Sequence, residues 1–67
     1  ASGIEQLIGQ KAVVVESIDN KAEVGVVKIN GQLWTARTEN PEEKPTVGDH
    51  VEILSIESSK LIVRLTR

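Results

Sequence analysis

The residues of this chain that could support catalysis are few and widely spaced. His50 is the single histidine, it follows Asp49, and serines occupy positions 2, 17, 55, 58 and 59. A hydrolytic triad requires a serine, a histidine and a carboxylate that converge beside an oxyanion hole, and this spacing does not indicate such convergence. Glu42 and Glu43 form a carboxylate pair, but prolines flank them, as in a solvated loop. We therefore predict that the domain is not an enzyme.

Metal and cofactor sites have equally little support. The chain contains no cysteine, which excludes disulfides, thiolate zinc sites and a cysteine nucleophile. Asp49, His50 and Glu52 are the one closely spaced set of possible metal ligands. Neighbouring residues of a strand point to opposite faces, so Asp49 and His50 would diverge. We expect neither a metal nor a cofactor.

Single-stranded nucleic acid is the alternative ligand class. Its binding uses a basic groove and aromatic rings on which bases stack. The chain has 8 Lys and Arg against 10 Asp and Glu, a net charge of −2, and Trp34 is its one aromatic residue. The basic residues available for a groove are Lys11, Lys21, Lys28, Arg37 and Arg64. Nucleic acid is therefore the second-ranked ligand, after protein.

Five segments rich in β-branched residues form the framework on which any functional site would lie. They predict strands at residues 11–18, 22–29, 32–38, 50–56 and 60–67, separated by Asp, Asn, Gly and Ser residues that favour turns. Residues 1–10 predict either one helical turn or a packed entry segment, and residues 1–8 are either flexible or packed against the strands. No apolar run is long enough to span a bilayer.

The sharpest local signal is Asn30-Gly31 between the second and third segments. Both residues tolerate the positive φ that a two-residue type I′ hairpin turn requires. This loop predicts that Ile29 faces Gln32 and, two pairs further on, Val27 faces Trp34.

This register separates the hairpin into two faces. The predicted inner face is small or apolar and contains Gly25, Val27, Ile29, Trp34 and Ala36. The predicted outer face contains Val24, Val26, Lys28, Leu33, Thr35 and Arg37. Trp34 is the predicted core anchor, and a glycine inside a strand indicates a bulge or a sharp bend.

The strands together predict one all-β domain over residues 1–67. A five-stranded Greek-key barrel of the OB type would close most sheet edges. Many OB folds place a helix between strands three and four, but residues 39–47 are too few and contain two prolines. We therefore expect an OB-like barrel without that helix, with an SH3-like barrel as the alternative.

One feature of the hairpin indicates a protein partner. Val24, Val26 and Leu33 remain on the outer face after the core is assigned. Exposed apolar patches of this kind mark interaction surfaces. Either these side chains form a docking patch for a partner or a second copy, or residues 1–10 or the long loop cover them.

Two parts of the chain resemble the soluble C-terminal domain of the NfeD family. The first comprises residues 9–12 (GQKA) and 25–36 (GVVKINGQLWTA). The second comprises residues 48–54 (GDHVEIL) and 61–63 (LIV), and the resemblance extends over residues 7–65.

The resemblance implies a role as well as a fold. Family members are anchored to membranes by helices outside this chain, and they associate with stomatin- or flotillin-like membrane proteins. Longer members carry a separate serine-protease domain. By this resemblance, the domain is expected to bind a protein on the cytoplasmic face of a membrane, either a stomatin/flotillin-type partner or a membrane protease. Nucleic acid is not expected, because the net charge is negative and the hairpin register directs Trp34 inward.

Overall fold

A computed structural model describes residues 6–66. Its five strands close into one barrel. They are β1 (Lys11–Asp19), β2 (Val24–Ile29), β3 (Gln32–Thr38), β4 (His50–Glu57) and β5 (Lys60–Leu65). Their order is β1-β2-β3-β5-β4, with β4 pairing back to β1. All neighbours are antiparallel except β3 and β5, which are parallel. The prediction of an OB-like barrel without a helix between β3 and β4 is confirmed.

The β2–β3 hairpin has the predicted register. The pairs run from Ile29 opposite Gln32 to Val26 opposite Thr35, so Val27 lies opposite Trp34. Asn30 and Gly31 have φ values of 52° and 78°, as a type I′ turn requires. A second tight turn of the same kind joins β4 to β5, where Ser58 and Ser59 have φ values of 51° and 66°.

The connection between β1 and β2 differs from the prediction. The second strand was expected from residue 22, but the turn continues through Glu23, whose φ is 57°, and β2 begins at Val24. The ladder between β1 and β2 contains two irregularities, one between Val14 and Glu16 and one between Glu16 and Asp19. Bulges of this kind sharpen the bend of a strand, which a barrel of five strands needs.

Gly25 lies at the tightest point of this bend. Its φ is 145°, and a Cβ atom there would lie 2.8 Å from the Ala36 carbonyl oxygen and 2.8 Å from Cγ1 of Ile18. A side chain at this position would collide with both neighbouring strands, so the glycine allows β2 to lie close to β1 and β3, between which it is paired.

Every strand contributes side chains to one core. Among the described residues the buried apolar set is Leu7, Ala12, Val14, Ile18, Val27, Ile29, Ala36, Val51, Ile53, Leu61 and Val63. The alternation that the sequence left open for β1 is thereby settled, since Val14 and Ile18 face inward while Val13 and Val15 face solvent.

Two segments outside the strands also pack on the barrel. Leu7 enters the core, and Gly9 N donates to the carbonyl of Ile53 at 2.8 Å. In the loop before β4, Pro45 is buried and its carbonyl accepts from Ile18 N at 2.9 Å. Residues 1–5 lie outside the described part of the chain.

The expectation that Glu42 and Glu43 lie in a solvated loop is wrong for Glu43. Glu43 is half-buried, and its Oε1 accepts a hydrogen bond from Leu65 N at 3.3 Å. Gly48 N donates to the Val14 carbonyl at 2.8 Å, which adds the end of the loop to the edge of β1. Glu42 is exposed, as expected.

Candidate binding face

The residues that could have formed a catalytic or metal site do not converge. His50 is exposed at the start of β4. Oδ2 of Asp49 accepts from Thr46 N at 2.9 Å and so stabilises its own turn. Within residues 6–66 no three His, Cys, Asp or Glu side chains form a group that could hold a metal. The depression beside Glu42 and Asp49 is open to solvent and is lined by loop residues and by Leu65 of β5.

Two of the basic residues predicted for a groove are bonded to other groups of the domain. Arg37 donates to the carbonyls of Ala36 and Glu23, at 2.7 Å each, and so connects the β1–β2 turn to β3. Arg64 forms an ion pair with Glu52 at 3.2 Å. Both guanidinium groups are therefore less available to the phosphates of a single strand.

Trp34 lies on the predicted side of the hairpin but not in the sealed core. The indole is half-buried and packs against the core beside Ile56 and Leu65. Its burial is incomplete because β3 pairs with β5 only from Ala36 onward, which leaves Trp34 at an open end of the barrel. Its Nε1 is buried without a hydrogen-bond partner in the described part of the chain. Gly25, Val27 and Ala36, predicted for the same side, are buried.

The opposite side of the hairpin carries the exposed apolar residues. Leu33 is 66% exposed and Val24 is 39% exposed, while Val26 between them is half-buried. Val24 and Val26 are consecutive outward positions of β2, and Leu33 is diagonal to Val26 across the ladder. Because Val24 and Leu33 stay exposed, the described parts of the entry segment and of the long loop do not cover them.

β1 extends this surface, which sequence reasoning did not resolve. Val13 and Val15 are 37% and 38% exposed, and Val13 lies directly opposite Lys28. We call this surface the outer face and define it by its apolar and central basic members: Val13, Val15, Val24, Val26, Lys28 and Leu33. The sequence did not predict which valines of β1 face solvent, because periodicity does not distinguish the two faces of an all-apolar run such as residues 13–15.

An exposed apolar surface on a barrel can bind another protein. Scattered apolar residues are normal on a protein surface, whereas a contiguous set on three adjacent strands indicates an interface. The fold and this surface together define a small β-barrel binding domain.

Comparison with known proteins agrees with this class. The family model described as the NfeD-like C-terminal, partner-binding domain matches residues 4–64. The chain therefore belongs to the NfeD family. A search of curated protein sequences finds no match.

Two solved structures are similar over nearly the whole chain. One is the soluble domain of a membrane protein implicated in regulation of membrane protease activity from Corynebacterium glutamicum, with 28% identity and a TM-score of 0.84. The alignment covers 94% of this chain and 97% of that one. The other is the C-terminal domain of a stomatin operon partner protein from Pyrococcus horikoshii, with 33% identity and a TM-score of 0.78. Here the coverage is 94% and 92%.

A membrane-spanning helix is not found in the described part of the chain. No helix within residues 6–66 is long and apolar enough to cross a bilayer.

Proposed function

We propose that this domain binds a membrane-associated protein through its outer face and performs no chemistry itself. The observation that carries the proposal is the contiguous apolar surface of β1, β2 and β3, with Leu33 as its most exposed member. Its match to a partner-binding family supports the same role. Apolar side chains kept in water on a barrel with a full core are best accounted for by a partner that covers them.

We further propose that the partner is a stomatin- or flotillin-type protein or a membrane protease. The similar domain from Pyrococcus horikoshii belongs to a stomatin operon partner, and the one from Corynebacterium glutamicum belongs to a protein implicated in membrane protease regulation. In this proposal, segments outside this chain anchor the protein in a membrane and the barrel works on the cytoplasmic side.

The test replaces two members of the outer face together, Val26→Ser and Leu33→Ser. Binding to the purified stomatin-family protein of the same genome is measured by isothermal titration. We expect affinity to fall about tenfold or more, because truncation of central apolar contacts commonly costs above about 1.4 kcal/mol.

Val47→Ser is the matched control for this double variant. Val47 lies in the loop before β4 and is 66% exposed, the same fraction as Leu33. The control should bind like the unchanged domain, and all variants should retain cooperative melting. Equal affinity of the double variant and the unchanged domain would contradict the proposed face.

A further inference from the structure

Most lysines in the strands face a carboxylate across the ladder. Lys11 of β1 lies opposite Glu52 of β4, and Lys60 of β5 lies opposite Glu57 of β4. Opposite charges at such positions stabilise a sheet. Each of these two lysines therefore has a carboxylate directly opposite it, although the ion pair that Glu52 forms is with Arg64.

Lys28 of β2 is different, because both of its direct neighbours are apolar. Val13 of β1 lies on one side of it and Leu33 of β3 on the other. Lys28 is exposed, and it belongs to no ion pair in the described part of the chain. One uncompensated cation therefore lies at the centre of an apolar row on the outer face.

We propose that the outer face binds a partner segment that has one acidic side chain between two apolar ones. The carboxylate pairs with Lys28, and the flanking apolar groups cover Val13 and Leu33. This inference rests on the proposed function and adds the chemistry of the partner to it.

The physical reason is the cost of covering a charge. A partner that covered Val13 and Leu33 would also remove water from Lys28, and an unpaired buried ammonium group is strongly unfavourable. A carboxylate in the partner offsets that cost and fixes the position of the segment along the row. An uncharged apolar segment of the same shape would bind less well, so Lys28 selects among partners.

A second copy of this chain is the other occupant that this surface could take. Glu16 is exposed and lies opposite Val26, so in a symmetric dimer it could approach Lys28 of the other copy. The row of Val13, Lys28 and Leu33 itself contains no carboxylate. The occupant we propose is a different protein, and self-association of the domain that is lost in Lys28→Gln would overturn the inference.

The experiment uses three short synthetic peptides that differ either at the central acidic residue or at the two flanking apolar residues. The first carries Leu-Thr-Asp-Thr-Leu, the second replaces Asp by Asn, and the third replaces both Leu by Ser. Each is titrated into ¹⁵N-labelled domain, up to millimolar peptide, and amide shifts are followed for Val13, Lys28 and Leu33. We expect the first peptide to shift these signals and the other two to bind about tenfold more weakly.

Two charge-removing variants complete the test. Lys28→Gln should bind the Asp and Asn peptides equally, while Lys60→Gln, which changes net charge by the same amount, should keep the preference for Asp. Equal binding of the Asp and Asn peptides, a preference that survives in Lys28→Gln, shifts elsewhere, or no shifts at all would overturn the inference. Binding of anionic vesicles in place of the Asp peptide, lost in Lys28→Gln, would also overturn it.

The peptide titrations and the assay with the stomatin-family protein can fail separately. If the stomatin-family protein still needs Val26 and Leu33 but tolerates Lys28→Gln, the outer face is the interface and the acidic preference is wrong. If the Asp peptide binds through Lys28 but that protein does not bind, the proposed partner is wrong and the chemistry of the face is right.

Discussion

At the scale of single residues, Gly25 is the described glycine with the least room for a side chain. Gly25→Ala combines a positive φ with close approach to the backbone of β3, and we expect a loss of about 2–5 kcal/mol in the free energy of unfolding. Gly31→Ala is the control, since its φ is also positive but no atom lies within 4 Å of the added Cβ. That variant should lose only about 1–2 kcal/mol.

Urea denaturation measures both changes. A Gly25→Ala variant as stable as Gly31→Ala would contradict the close contacts of Gly25 with Ile18 of β1 and Ala36 of β3.

Trp34 contributes to stability through its ring and not through its N–H group. Trp34→Ala should cost about 2–3 kcal/mol, less than the roughly 3–5 kcal/mol of a fully buried tryptophan, because the indole is half-buried. Trp34→Phe should stay within about 1 kcal/mol of the original, since Nε1 has no partner in the described residues to lose. Thermal melting followed by circular dichroism distinguishes the two. A phenylalanine variant as unstable as the alanine variant would indicate a hydrogen bond at Nε1.

At the scale of elements, the side chain of Asn20 takes the place of a backbone partner for Thr38 at the end of β3. Its Oδ1 accepts from Thr38 N at 3.0 Å, and its Nδ2 donates to the Thr38 carbonyl at 2.9 Å. The side chain thus makes both hydrogen bonds that a strand neighbour would make, at a point where β2 has not yet begun. Thr38 is buried, so these groups have no access to water in its place.

Asn20→Ala should therefore destabilise the barrel by about 2–4 kcal/mol, because two buried backbone groups lose their partners. Asn40→Ala removes an exposed hydrogen bond to Glu42 N and should cost below about 1 kcal/mol. Chemical denaturation of both variants makes the comparison. Similar stabilities would mean that the end of β3 is held by other contacts.

The elements differ in how well the sequence predicts them. The β2–β3 hairpin was predictable residue by residue, because Asn30-Gly31 fixes the turn type and the turn fixes the register. The burial of Pro45 was not predictable, since it depends on backbone hydrogen bonds between the loop and β1. The turn between β1 and β2 ran longer than expected because Asn20 reaches across to Thr38, a contact distant in sequence.

The outer face was predictable only in part, for the same reason. Val24, Val26 and Leu33 followed from one hairpin, whose register is local. Val13 required the pairing of β1 with β2, and the irregularities in that ladder are invisible in a run of valines. The neighbours of Lys28 therefore emerge only when all three strands are placed together.

At the scale of the whole molecule, the surface argues against nucleic acid. The net charge is −2, Trp34 is at the end of the barrel, and Arg37 and Arg64 are hydrogen-bonded to other groups. We expect no gel shift of a single-stranded oligonucleotide even at low salt. A shift that weakens steeply as salt is added would instead favour the nucleic-acid alternative.

We propose that the outer face binds a partner in the cell, and site-specific crosslinking tests this binding most directly. In the full-length protein, a photo-crosslinking residue replaces Leu33 in one variant and the equally exposed Val47 in another. Irradiation of intact cells should join the stomatin- or flotillin-type protein or membrane protease to position 33 and not to position 47. Equal adducts at both positions, or adducts at position 47 alone, would contradict the assignment of the outer face.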